Sequence, residues 1–447
     1  MYGVILFLFM VVLFAGYGVA QGWLPNLASY LPELTAIAVA AYVVGAGVQD
    51  SFRYVRLQYW LVFGMLTLVV VCGLLVNALE PGPLFAGLRT YLRAMPLLFL
   101  PAVLSIDDRR LRTQLTLLLA ASLVQFPVAF VQRMQVLAEN RTSGDSVVGT
   151  LVTSPMLSVF LICAACVLTG LYLRKRLRAA WFFPLFLLVL APTTLNETKA
   201  TLVLLPAGLF TAFIVGSPRG AKIRNGIVAT GALAVFGAIF VPVYDYFMKP
   251  RWGYGLIDFL TMEGRVERYL MRGAEVGEQE AGKLDGIVVP LTELSREPAW
   301  LVFGLGVGNA SDSALGEQFT GEYFRRFEPF LQSTASVVML ELGVLGLALV
   351  LMLYFMIFRD ARVVARRDPG LTGAFAVGWS GAVAVMALAT FYTEMMASSA
   401  LSFLFWYFSG VVMARRMRLA EPAARPVLQP QSAAHVPLRG ERLGRPM

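Results

Sequence analysis

The sequence predicts an all-α polytopic membrane protein, and three observations predict it. Of 447 residues, 58% are hydrophobic and 15% charged, where a soluble domain carries about 45–50% and about 25%. Mean hydropathy is +0.69, and an ordinary soluble enzyme is excluded. Runs such as 59–79 and 336–358 hold about twenty apolar residues with at most one charge, enough to cross a bilayer as helix. Finally, arginine and lysine cluster in alternate connections. About twelve transmembrane helices follow from these breaks.

In chain order the expected spans are 3–19, 33–49, 58–79, 84–104, 113–132 and 155–173. They continue at 180–194, 199–216, 225–244, 334–358, 371–390 and 397–413. Gly18-Val19-Ala20 resembles a signal-peptide cleavage site, but Met1-Tyr2-Gly3 lacks a basic leader, so the first helix is expected to stay uncleaved. The fourth span contains Pro96 and Pro101, which predict a bend. Residues 1–244 therefore hold helices one to nine, and 245–333 form one large loop domain between helices nine and ten. Residues 334–413 hold the last three helices. The tail 414–447 is basic and Pro/Arg-rich, the composition of a disordered segment.

Loop charge orients the bundle. Alternate connections carry Arg53 and Arg56, then Arg109, Arg110 and Arg112, then Arg174, Lys175, Arg176 and Arg178. The series runs on through Arg219, Lys222 and Arg224, then Arg359, Arg362, Arg366 and Arg367, to the tail. These positions hold 23 of the 37 basic residues against seven acidic ones. The positive-inside rule puts both termini in the cytoplasm and residues 245–333 outside. The net charge of +9 is thus a topology signal and an anionic-lipid contact, not a nucleic-acid footprint. No DNA or RNA motif appears.

Several chemistries lack their residues. The sole histidine is His435, in the tail, so no imidazole base or Ser-His triad is available outside. Cys72, Cys163 and Cys166 lie in apolar runs, where Cys163-x-x-Cys166 reads as two small residues on one helix face. Gly304-x-Gly306-x-Gly308 lacks the strand–helix context of a dinucleotide site and reads as a tight turn. No exterior Asp-x-Asp pair exists. No metal and no cofactor is expected.

Exterior cations remain. Arg89 and Arg93 lie about 8 and 14 Å into the fourth span, where a central arginine costs about 2.5–3.5 kcal/mol on insertion scales. Such a pair persists by facing a cavity and sharing an anion, or by pairing with Glu341 or Glu394. In Gly264–Arg272, helical spacing puts Arg265, Arg268 and Arg272 on one face. Three guanidiniums suit a diphosphate; the alternative is an interfacial helix meeting lipid headgroups or Glu275. Lys199 opens the eighth span as a further cation or as the partner of Glu197. Arg325 and Arg326, just before Glu328, read first as solvated surface.

In this order the residues resemble the O-antigen ligase/polymerase superfamily, which includes Wzy-type polysaccharide polymerases and O-antigen ligases. Arg141-Thr142 followed by Val148-Gly149-Thr150-Leu151 and Leu157-Ser158 looks like one family segment, and Glu197-Thr198-Lys199-Ala200-Thr201 like another, with lysine at a usual arginine position. Gly264-Arg265, then Glu297-Pro298 through Gly304-Leu305-Gly306-Val307-Gly308-Asn309, then Glu341-Leu342-Gly343-Val344-Leu345-Gly346-Leu347, resemble a third. The likeness covers residues 140–350. It departs from the family nine residues before Glu341, where Gln332-Ser333 stands in place of a usual His-Asn pair.

The resemblance implies a glycosyltransferase of the bacterial inner membrane that polymerises undecaprenyl-diphosphate-linked repeat units into O-antigen or exopolysaccharide, in lipopolysaccharide-type pathways. An acceptor hydroxyl attacks the anomeric carbon with inversion, and cations hold the departing lipid diphosphate without a metal. The expected catalytic residues are Arg89, Arg93, Lys199 and Arg265, with Glu328 orienting or deprotonating the acceptor. The expected substrate-binding residues are Arg141, Arg268, Arg272, Arg325, Arg326 and Gln332. Membrane lipids, a chain-length regulator and a flippase are the implied partners. The alternatives are ligase-type transfer to another acceptor, which the absent histidine disfavours, a lipid-linked glycan transporter or flippase, and a non-catalytic member of an assembly complex.

Overall fold

A computed structural model describes residues 14–49, 52–139, 144–196, 198–218, 220, 222–273, 281–313, 315–396 and 399–421. The expected first span falls mostly outside the described residues, as do Arg141, Glu197, Glu275 and the tail from residue 422. The described residues are 78% helix, with no strand among them. Helices satisfy their backbone polar groups internally, which a hydrocarbon environment requires.

The first long helices are α1 (Leu31–Gln49), α2 (Leu57–Asn77), α3 (Pro81–Leu92), α4 (Pro96–Val103), α5 (Asp108–Ala138) and α6 (Ser154–Leu173). They are followed by α7 (Ala179–Leu190), α8 (Thr201–Gly216) and α9 (Lys222–Trp252). Short helices α10 (Leu256–Thr261), α11 (Arg265–Leu270), α12 (Asp285–Leu294), α13 (Pro298–Phe303) and α14 (Phe324–Phe327) come next. The chain closes with α15 (Thr334–Arg367), α16 (Leu371–Ala389) and α17 (Ser399–Arg418). Among the described residues seven helices are long and apolar enough to cross a membrane, with α7 and α8 as shorter apolar helices.

Three boundaries differ from the sequence reading. The expected fourth span is two helices: Pro96 lacks the N–H that would continue α3 and instead starts α4. The ninth helix runs to Trp252 rather than ending near 244. The tenth breaks inside its first half, at Gly343 with φ 69°.

That break positions the glycine-rich segment. It releases the carbonyls of Leu340 and Glu341, which accept the N–H groups of Leu305 (2.7 Å) and Gly306 (3.1 Å). The turn nests against α2 and α3, where Asn77 donates to the Gly304 carbonyl at 3.1 Å. Gly308, at φ 82°, approaches so closely that a Cβ would lie 1.9 Å from the Pro83 carbonyl oxygen. Glycine is required there twice over, by conformation and by space. A tight turn is what this segment is.

The main apolar core joins α1–α9 to α15–α17. A second, smaller cluster unites Leu294, Leu305, Ala310, Phe327 and Phe330 with Met339 and Leu340 of α15. The packing of segment 281–331 is thus completed by the start of the tenth span.

Candidate functional site: a cationic cavity lined with aromatic rings

The turn before α8 is fastened to α6. Asn196 donates to the Ser158 hydroxyl at 2.9 Å and the Ser154 carbonyl at 3.2 Å, and the Ser154 and Thr198 hydroxyls lie 3.0 Å apart. These buried polar contacts hold Lys199 at the mouth of the bundle. Opposite it, Gly264 at φ 75° turns the chain from α10 into α11 and presents Arg265 and Arg268.

Arg272 follows by a different route from the helical face expected. Helix α11 ends at Leu270 and Met271 is extended. The buried Asp285 carboxylate accepts the backbone N–H groups of Arg272 (2.8 Å) and Gly282 (2.7 Å). Lys283 and Leu284 then donate to the carbonyls of Tyr269 and Leu270. This pairing sets Lys283 alongside the arginines.

Lys199, Arg265, Arg268, Arg272 and Lys283 line one cavity of about 660 Å³, within the usual size range of ligand sites. Among the described residues Asp145 and Glu263 are the carboxylates of that lining, against five cations. Tyr254, Phe259, Tyr269 and Tyr392 supply its rings. The Lys199 ammonium lies 4.3 Å from the Phe259 ring centre and 5.0 Å from that of Tyr269. Arg265 stacks on Tyr254 at 3.8 Å, and Lys283 approaches Tyr392 at 5.2 Å. Such contacts hold cations in place through the ring quadrupole.

Burial lowers the Lys283 pKa, with Asp145 partly opposing it. Burial raises Tyr269 and Tyr392, whose hydroxyls share a 3.0 Å hydrogen bond, so both stay protonated at neutral pH. The site is therefore a cationic hollow with neutral hydroxyls and flat aromatic faces. Cations bind phosphate oxygens, and rings of this kind offer apolar faces to a sugar.

Arg89 and Arg93 lie elsewhere. Both bond Glu33 of α1, at 2.6 and 3.4 Å, and Arg93 also donates to the Met396 carbonyl at 2.6 Å. The carboxylate they share is thus Glu33, rather than Glu341 or Glu394, and neither arginine lines the cavity. Glu341 instead accepts the Ser311 hydroxyl at 2.6 Å. Burial raises the Glu394 pKa, reinforced by Glu341 and opposed by Arg93. One link joins the two cationic groups: the turn 390–396 carries Tyr392 into the cavity and the Met396 carbonyl to Arg93.

The remaining expected residues do not line the cavity either. Glu328 is exposed at the start of a short turn of helix. Arg326 pairs with Glu293 at 2.6 Å, and Arg325 lies 3.8 Å from Glu317 with both side chains in solvent. Gln332 donates to the carbonyls of Ala281 and Pro329, bracing the segment that carries Lys283. Arg141 lies outside the described residues. Sequence reasoning missed Asp145, Glu263, Lys283 and the four rings. The alternation of aromatic and basic residues across 254–272 was the available signal. Among the described residues, no group of three His, Cys, Asp or Glu side chains is placed to hold a metal ion.

Fold and site together define a multi-pass, all-helical protein that opens a cationic, aromatic-lined cavity at one end of its bundle. Comparison of the chain with models of known protein families finds no match, and comparison with curated proteins finds none.

Proposed function

We propose that the chain is a membrane glycosyltransferase that elongates a glycan carried on a lipid diphosphate, undecaprenyl diphosphate by the resemblance given above. The observation that carries this reading is the gathering of five cations and four aromatic rings around one cavity. Segments far apart in sequence supply them, and each cation is one that a growing negative charge would engage.

In this mechanism the rings hold the sugars and the cations hold the diphosphate. The acceptor hydroxyl forms the new bond to the anomeric carbon as the bond to the diphosphate oxygen breaks. The departing electron pair rests on that oxygen, opposite Lys199, Arg265, Arg268, Arg272 and Lys283. The hydroxyl proton passes to a carboxylate of the cavity. Asp145 takes this role in place of Glu328, because its charge is felt by Lys283, Tyr269 and Tyr392. Donors preorganised at a developing charge each contribute about 2.7–4 kcal/mol of barrier lowering.

The topology proposed with this activity has twelve spans. Five further segments join the seven long helices: 3–19, the broken pair α3–α4, α7, α8 and α17. Both termini then face the cytoplasm of a bacterial inner membrane and the cavity faces the periplasm, where the 245–333 loop lies. A chain-length regulator and a flippase are partners on this reading. The deciding experiment gives the purified full-length protein lipid-linked repeat units in vesicles. Longer lipid-linked glycan supports polymerisation. Glycan moved to another acceptor means ligase-type transfer, and lipid crossing the bilayer without new glycosidic bonds means a transporter.

A further inference from the structure

A second cavity, of about 400 Å³, opens between α5 and α6 at the opposite, basic end of the bundle. Its walls are helical faces in register. Arg112, Leu115 and Leu119 descend along α5, while Arg176 stands beyond the end of α6 above Leu171, Leu168 and Ala164. Seven residues of helix span about 10 Å, so the cavity has a cationic mouth and an apolar body reaching about that far into the hydrophobic layer.

The nearby carboxylates are engaged elsewhere. Asp107 caps α5 by accepting the Arg110 N–H at 2.7 Å, and Asp108 accepts the Leu371 N–H and the Thr372 hydroxyl. Asp368 pairs with Arg415 at 2.6 Å. Arg176 donates to the Pro369 carbonyl at 2.9 Å, which fixes its side chain while leaving its charge uncompensated. Among the described residues neither Arg112 nor Arg176 forms an ion pair.

We propose that this cavity binds an anionic membrane phospholipid, its phosphate held by Arg112 and Arg176 and one acyl chain lying between α5 and α6. The two halves of the cavity match the two halves of such a lipid. Basic pockets between spans at the cytoplasmic face are suited to anionic headgroups, and an acyl chain fills an apolar void that water would not occupy. This site does not depend on the glycosyl-transfer reading, since it uses none of the residues of the first cavity.

The test is native mass spectrometry of the full-length protein, titrated with phosphatidylglycerol, phosphatidylcholine of the same acyl chains, or inorganic phosphate. Wild type should favour phosphatidylglycerol over phosphatidylcholine by about tenfold or more, and R112Q/R176Q should abolish that preference. A control, R109Q/R178Q, changes neighbouring charges outside the cavity and should retain it. Leu119→Trp, which fills the apolar body, should weaken both lipids alike. Should the double variant fail to fold, R112Q alone decides, because Arg112 is exposed at the mouth. Equal binding of the two lipids by wild type, or an unchanged preference in R112Q/R176Q, overturns the proposal. So does displacement of the lipid by phosphate with no effect of Leu119→Trp, which would mean a simple anion site.

Discussion

Replacing Glu33 by alanine removes the carboxylate that Arg89 and Arg93 share. Its Oε1 lies 2.6 Å from Arg89 and 3.4 Å from Arg93, and the three side chains are only 16%, 25% and 12% exposed. Breaking a buried ion pair costs about 3–5 kcal/mol, because the stranded charge stays desolvated. Partial exposure, together with the bond Arg93 keeps to Met396, lowers the expectation for Glu33→Ala to about 2–4 kcal/mol of unfolding free energy. Two guanidiniums at i, i+4 would then also repel. The assay is equilibrium unfolding of the purified protein in detergent, run as a double-mutant cycle with Arg89→Ala. Removing Arg89 as well should recover about 1 kcal/mol or more. Loss below about 0.5 kcal/mol in Glu33→Ala, the range of an ordinary surface change, would refute the pairing.

Three more outcomes follow from the same structure. Gly308→Ala should destabilise by more than about 2 kcal/mol, since the new Cβ meets the Pro83 carbonyl oxygen at 1.9 Å and φ is 82°. Gly64→Ala, within α2 and with nothing inside 4 Å of the new Cβ, should cost little; thermal unfolding compares the two. Lys199→Ala and Arg265→Ala should each lower glycan transfer by about 10²–10³-fold at normal expression, read as product chain length on gels, while Arg326→Ala should leave it unchanged. Lys283 titrates below its ordinary 10.5 because it is buried, so the folded state releases that proton first. Stability should therefore rise with pH from the lowered value up to 10.5. Lys283→Met should be more stable than wild type at neutral pH, with the gap closing over that window, as denaturant titration at several pH values would show.

The sequence made the helical class legible, and with it the seven long apolar helices among the described residues, because apolar runs act locally. Pro96 announced a perturbation, and its missing N–H converted the expected bend into two helices. Lys199, Arg265, Arg268 and Arg272 stood out as exterior cations and share one cavity. The partner of Arg89 was not legible: Glu33 is 56 residues away, in the first turn of a different helix. Lys283 and Tyr392 were missed for a similar reason. Lys283 reaches the cavity only through the backbone pairing of 283–284 with 269–270, and Tyr392 only through the turn after α16. Glu328 opens a short turn of helix just before α15, and that position leaves it in solvent and outside the cavity lining.

The binding of undecaprenyl diphosphate against undecaprenyl monophosphate, measured on wild type and on K199A/R265A in the same detergent, tests the anion grip at the heart of the account. Wild type should hold the diphosphate at least about tenfold more tightly, with the double variant losing most of that difference while keeping its affinity for the monophosphate. Equal affinity of wild type for the two lipids, or a preference that survives in K199A/R265A, would contradict it.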